Sequence, residues 1–216
     1  MFSELPTFGL GLPDEIVFNE YRLAMQTDSK NTLFDAFPVL HTERLDLIEI
    51  TQAHLADLFK LFRDEEVTRF YNLLPLKYEH EAQKLIDWFQ NRFADKLGIR
   101  WGVALKGSQN IIGTVGFNSF TKHHRANIGY DLQPDHWNKG YITEALRAVI
   151  HFGFNRLEVN RIEAEVMPLN IVSDKVLAKL GFTNEGILRQ WMFWDDKHYD
   201  MNMFSLLRSD NPFCKA

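Results

Sequence analysis

The sequence predicts an α/β protein, with helices layered on both faces of one mixed central sheet. Two observations carry this expectation. From residue 44 onward, short stretches of apolar alternation take turns with longer stretches whose apolar residues recur every three or four positions. The chain has 216 residues, 45% of them hydrophobic and 25% charged, which suits one globular body with an ample core. Elements interleaved in this way bury their apolar faces by stacking helices against a sheet.

Residues 1–38 stand apart. They hold Pro6, Gly9, Gly11, Pro13 and Pro38, and too many Leu, Ile, Val and Phe residues for a solvated tail. We expect this arm to pack on the body; within it, residues 16–25 fit a helix and a strand equally well. Residues 39–216 form the main domain. Residues 44–50 alternate and predict a strand. Thr51 is a candidate N-cap for a helix striped by Leu55, Leu58, Phe59 and Phe62. A second helix is expected over 79–95, with Ala82, Leu85, Ile86, Phe89 and Phe93 on one face. Strands follow at 100–105 and 111–119, joined by a turn at 106–110, and then at 126–132. A helix over 142–156 turns Ala145, Leu146, Val149, Ile150 and Phe154 inward. A strand at 161–166 precedes a helix over 171–180, which Gly181 closes as a C-cap. Two strands, near 185–194 and 199–207, end the pattern.

Charge is placed unevenly. Residues 1–43 carry seven acidic and two basic residues, whereas the remainder holds 22 of each sign. A neutral body behind an acidic arm offers no electrostatic footprint for DNA or RNA, so nucleic acid is not an expected partner. No run of 18 apolar residues predicts a membrane span, and the first residues lack the basic-then-apolar pattern of a secretory signal. The single cysteine, Cys214, permits no intramolecular disulfide and has no histidine paired with it nearby in sequence. A cytoplasmic location is expected. His123 and His124 fall in an expected turn without a carboxylate or cysteine at ligand spacing, so no metal site is read there.

The most telling stretch is 133–146, Gln-Pro-Asp-His-Trp-Asn-Lys-Gly-Tyr-Ile-Thr-Glu-Ala-Leu. A short turn with one glycine leads from a strand into an apolar helix. Such a turn gathers unpaired backbone N–H groups at the positive end of a helix dipole, which makes a cradle for phosphate. Neither Walker spacing nor Gly-x-Gly-x-x-Gly is present. Taken alone, an ordinary strand-to-helix turn is the simpler reading.

Downstream motifs add specificity. Trp137-x-Lys-Gly-Tyr-x-Thr-Glu-Ala145, Arg161-Ile-Glu-Ala-Glu165, Asn170-x-x-Ser173 and Leu180-Gly-Phe-x-x-Glu-Gly186 occur in that order. This succession resembles the GNAT acyltransferase superfamily, and within it the branch that acetylates ribosomal-protein N-termini. The resemblance runs from about residue 40 to residue 208. It implies a mostly antiparallel sheet with one splayed strand pair, and acetyl-CoA as co-substrate without a metal. The pyrophosphate would lie over the backbone of Asn138, Lys139, Gly140, Tyr141, Ile142 and Thr143, with Lys139 either adding a point charge or staying solvated. Gly140 permits close backbone approach. The pantetheine amides would pair with the strand edge at Tyr130 and Leu132, in a slot beside the strand 161–166. Asn170 would bond that arm and Ser173 would sit near the thioester; read locally, one is a turn residue and the other a first-turn helix polar group. Trp137 stands where many relatives have Arg or Gln, and it is expected to pack.

Direct acetyl transfer needs a neutral amine, oxyanion stabilisation and a proton for the leaving thiolate. Glu163 and Glu165 share one face of their strand, opposite Ile162, Ala164 and Val166. The resemblance puts a catalytic glutamate at Glu165; its plain reading is a cross-strand charge. Met192 and Leu177 depart from the pattern, since relatives carry a glutamate and an acid tyrosine there. An incomplete acid–base pair favours amines that are already neutral. Roughly a tenth of an α-amine is neutral at pH 7, against a few parts in ten thousand of a lysine amine. The expected acceptor is therefore a protein N-terminal α-amine, as on a ribosomal protein. The alternatives are a small amine such as a polyamine or antibiotic, or a non-catalytic acyl-CoA-binding module. The acceptor cleft is expected at residues 69–72 and 190–194, with Tyr71 and Trp194 facing substrate and Phe70 and Phe193 packing. The acidic arm would steer cationic acceptors, form a dimer contact or act as a strap; monomer and homodimer both fit.

Overall fold

The computed structural model describes residues 32–211. Eight strands form one sheet in the order β1-β2-β3-β4-β5-β6-β8-β7. They are β1 (Leu40–His41), β2 (Leu45–Glu49), β3 (Ile99–Leu105), β4 (Ile111–Thr121), β5 (Arg125–Leu132), β6 (Arg161–Val166), β7 (Thr183–Trp194) and β8 (Lys197–Leu207). The helices are α1 (Leu55–Phe62), α2 (Glu65–Thr68), α3 (Glu79–Ala94), α4 (Tyr141–Asn155) and α5 (Ile171–Lys179). Every neighbouring pair is antiparallel except β5 and β6, which run parallel and are joined by α4, the kind of crossover that parallel neighbours require. The sequence-based elements of the main domain are present. The additions are β1 and α2, two and four residues long, and four three-residue 3-10 turns, all too short to carry a periodic signal.

Strand alternation divides the core in two. On β2, Leu45 and Leu47 join the cluster that contains α4, whereas Ile48, with Ile50 just beyond the strand, joins the cluster of α1 and α3. The inward stripe of α4 is Ala145, Leu146, Val149, Ile150 and Phe154, each fully buried against sheet residues such as Val115 and Phe117. Truncating Leu146 to alanine there costs about 2–5 kcal/mol. The other layer packs Leu58, Leu61 and Phe62 against Ala82, Leu85, Ile86 and Phe89. Phe34 and Phe37 pack against Phe93 with tilted rings, and the Pro38 carbonyl accepts from Trp101 Nε1 at 2.6 Å. The rest of the expected arm, including 16–25, lies outside the described residues, as does Cys214.

The parting of β5 from β6 shapes the opening where the candidate site lies. Only Arg125, Ala126 and Asn127 pair with β6, opposite Arg161, Ile162 and Glu163. The His124 carbonyl accepts from Asn160 and Arg161 N–H at 2.9 and 3.0 Å and pins this apex. Beyond it, β5 stays with β4 and β6 with β8, so a wedge opens. Gln133 N–H donates to the Ile112 carbonyl at 2.8 Å. Antiparallel neighbours exchange bonds at every second residue, so Gly129 and Asp131 turn their backbone groups to β4. Ile128 still gives its N–H to the pairing with β6, and beyond it Tyr130 and Leu132 turn their backbone groups into the opening.

Candidate active site

The loop between β5 and α4 borders the wedge. Asn138 and Gly140 adopt left-handed backbone, with φ of 59° and 79°, and Gly140 is the N-cap of α4. A Cβ on Gly140 would meet only Arg44, at 3.4 Å, so the protein itself needs glycine there for the φ angle and not for room. Asn138, Lys139 and Gly140 are exposed, and the first-turn N–H groups of Tyr141, Ile142 and Thr143 have no acceptor within the helix. The loop is pinned from behind. Glu144 accepts from Thr42 Oγ1 at 2.6 Å, Arg44 N at 2.8 Å and Arg44 Nε at 2.7 Å. Arg44 also donates to the Lys139 carbonyl at 3.0 Å and lies over the Tyr141 ring. Burial alone would raise the Glu144 carboxyl, yet these donors hold it below the usual range. Trp137 Nε1 donates to the Leu132 carbonyl at 2.7 Å. Of the two edge residues, Leu132 therefore offers the wedge its N–H and a carbonyl that already accepts one bond, and Tyr130 both backbone groups.

Deeper in the wedge lies a cavity of about 160 Å³. Tyr130, Glu165, Asn170 and Ser173 all line it, and Tyr71 does too. Trp194 does not: it packs on Tyr199, with ring centroids 5.9 Å apart, towards the tip of the β7–β8 hairpin. Met192 reaches the cavity instead, after a register shift between Leu188 and Met192. The packing expected of Phe70 and Phe193 also needs correction, since Phe70 lines the cavity and Phe193 is exposed beside His198.

Glu165 is half-buried, and its Oε1 accepts from Asn127 Nδ2 at 3.1 Å. Burial lifts its carboxyl above the ordinary range; a bond from Trp191 opposes this, the charge of Glu163 adds to it and that of Arg125 opposes it. Across the cavity, Asn170 caps α5 by accepting from Ser173 N at 3.2 Å. That bond commits its oxygen and leaves its amide nitrogen as the donor. The Tyr130 and Ser173 hydroxyls are 2.5 Å apart. Burial pushes the Tyr130 phenol up to about 12, the bond to Ser173 opposing and Asp174 adding, so the pair keeps its protons across the neutral range. Leu177 is fully buried in the core and supplies no acid.

Sequence reasoning missed the cavity floor. Arg100 and Asp131 form an ion pair at 2.7 Å, with side chains 4% and 2% exposed. Asp131 also accepts from Thr114 N at 2.9 Å and Thr114 Oγ1 at 2.8 Å. Arg100 donates to Thr114 Oγ1 at 2.7 Å and to the Tyr71 hydroxyl at 2.8 Å. Tyr71 is thus committed to the floor, and burial raises its phenol. One signal was available: Arg100 is the one charge on β3, and Asp131 is the one acidic residue on β5. Among the described residues no three His, Cys, Asp or Glu side chains converge as metal ligands, and no helix is long and apolar enough to cross a membrane.

Comparison with known proteins agrees with this geometry. Residues 44–183 match the family model described as an acetyltransferase (GNAT) domain. The uncharacterized N-acetyltransferase YoaA of Bacillus subtilis is 39% identical over 173 residues, 80% of this chain and 98% of that protein. The ribosomal-protein-serine acetyltransferase of Escherichia coli is 33% identical over 168 residues, 76% of this chain and 93% of that one. Among solved structures, the ribosomal L7/L12 α-N-protein acetyltransferase RimL in complex with coenzyme A superposes with a TM-score of 0.71. It covers 79% of this chain and 98% of that one at 18% identity. With a family model spanning more than half its length and a relative this similar along nearly its whole domain, the chain belongs to the GNAT family and is an N-acetyltransferase.

Proposed function

We propose that this enzyme transfers the acetyl group of acetyl-CoA directly to the α-amine of a protein N-terminus of the ribosomal type, in the cytoplasm. One observation carries the reading. The parting of β5 and β6 brings a raised carboxyl, Glu165, and a hydroxyl pair, Tyr130 and Ser173, to one cavity beside an open strand edge. The exposed N–H groups around Gly140 fit a pyrophosphate, and the edge at Tyr130 and Leu132 fits the pantetheine amides. In this scheme the amine nitrogen attacks the thioester carbonyl and Glu165 accepts the amine proton. Ser173, backed by Tyr130, donates a proton to the leaving sulfur. A C–N bond forms, a C–S bond breaks, and the products are an amide and a thiol.

The neutral fraction of an α-amine supports the acceptor, as does the E. coli relative named for ribosomal-protein serine. The test is thiol release from acetyl-CoA with Ala-, Ser- and Met-initiated peptides, ribosomal proteins, polyamines and aminoglycosides. Acetylation of peptide α-amines is expected. Release with small amines alone would reassign the acceptor, and silence with every amine would remove the reading.

A further inference from the structure

The cavity floor carries contacts that this scheme does not use. Arg100 Nη1 donates to Asn118 Oδ1 at 3.2 Å, Asn118 Nδ2 donates to Asn127 Oδ1 at 2.9 Å, and Asn127 Nδ2 donates to Glu165 Oε1 at 3.1 Å. These residues stand on β3, β4, β5 and β6, so the chain of bonds crosses the sheet beneath the cavity. Its polarity is dictated by chemistry. A guanidinium only donates, so Asn118 must offer it oxygen. The Asn118 nitrogen is then left for Asn127, which must offer oxygen in turn, and the Asn127 nitrogen faces Glu165. Two features of the fold make room for the crossing. A register shift between Phe117 and Ser119 inserts Asn118 as an extra residue, the kind of bulge that re-aims a side chain. A Cβ on Gly129 would lie 2.8 Å from both Arg100 Nη1 and Asn118 Nδ2, so glycine keeps the path clear.

We propose that Asn118 and Asn127 are positioning residues for the base: anchored on the Arg100–Asp131 pair, they present Glu165 with a fixed donor. Together with the bond from Trp191, that donor favours the ionised carboxylate and fixes the orientation it presents to the acceptor amine. The proposal rests on the reading of Glu165 as the base. A fixed donor on the charged form lowers a carboxyl's titration midpoint, so the relay opposes the effect of burial. The other groups facing Glu165 are Glu163 on its own strand, Arg125 at the start of β5, Trp191 from β7, and Tyr130 and Tyr71 around the cavity. All of them stay unchanged in the variants that test the relay.

Asn127→Leu removes this donor and leaves the bond from Trp191 in place. Asn118→Asp does more, because the new carboxylate takes the guanidinium and offers Asn127 only an acceptor. The Asn127 amide must then turn over and present its oxygen to Glu165. Losing one charge-assisted bond raises the Glu165 midpoint by about one to two pH units, and Asn118→Asp raises it further. The midpoint is read by carbon NMR of protein labelled with 13C-glutamate, with Glu165→Gln identifying the signal. The acid limb of kcat/KM is followed separately, and melting temperature and coenzyme A affinity report the fold. Upward shifts in both variants support the relay. An unchanged midpoint in folded Asn127→Leu overturns it whatever the activity does. A shifted midpoint with an unmoved acid limb leaves the relay standing and removes Glu165 as base. Should Asn118→Asp or Asn127→Leu not fold, Asn127→Ala makes the same deletion and its midpoint decides.

Discussion

At one end of the wedge the candidate binding groups are backbone amides from a single stretch, residues 138–143; at the other they are side chains drawn from four strands and α5. The loop needs little beyond a left-handed glycine and the Arg44–Glu144 clamp behind it. The cavity needs a buried ion pair, a bulge at Asn118, a glycine at 129 and a carboxyl held in place across three strand boundaries. Backbone recognition suits a coenzyme that is always the same. Side-chain recognition can be altered residue by residue, as a choice among acceptors requires. The two ends should therefore fail separately when mutated.

The largest separation is expected from Glu165→Gln. Removing a general base costs about 10²–10⁴ in turnover, while coenzyme A affinity by calorimetry should hold. A fall in affinity of the same size would join the two ends. The pH profile sharpens this result. Because burial raises the Glu165 carboxyl, the acid limb of wild-type activity should have its midpoint above the usual glutamate value of about 4.3. Stability carries the opposite sign. A carboxyl raised in the folded state contributes stability below its unfolded pKa and loses it as pH rises through the folded one. Glu165→Gln should therefore melt higher than wild type at neutral pH while being nearly inactive.

Next in size is Arg100→Met, which strands the buried Asp131 charge. A loss of about 3–5 kcal/mol in urea unfolding is expected, with part of it recovered by Asp131→Leu in the same chain. If the single variant is as stable as wild type, the pair is not the anchor of the cavity floor. Gly140→Asp acts on the other end. It sets a negative side chain against the proposed pyrophosphate position, worth about 1–4 kcal/mol, so coenzyme A affinity should drop about fivefold or more. Unchanged affinity in folded Gly140→Asp would take the coenzyme away from the loop. The smallest effect is expected from Trp194→Ala, which should leave the acceptor KM within about twofold, because Trp194 lies on Tyr199 outside the cavity. A large rise would return this residue to the acceptor groove.

The same contrast explains what could be read in the sequence. The strand at 161–166 and the helix that begins near residue 141 were legible because alternation and an apolar stripe are local properties. The loop was legible because its residues are contiguous. The cavity floor was not, since Arg100, Asn118, Asn127 and Glu165 meet only through strand register, and one extra residue at Asn118 decides which side chains touch. The place of Trp194 outside the cavity has the same origin. Alternation counted along 185–194 cannot anticipate the register shift between Leu188 and Met192.

A crystal structure of the wild-type enzyme with acetyl-CoA tests the central claim most directly. The pyrophosphate should lie over the backbone N–H groups of Asn138 to Thr143, and the pantetheine amides along Tyr130 and the Leu132 N–H. The thioester should then reach the cavity between Glu165 and the Tyr130–Ser173 pair. A coenzyme bound away from the wedge, or a thioester held outside that cavity, would contradict the account.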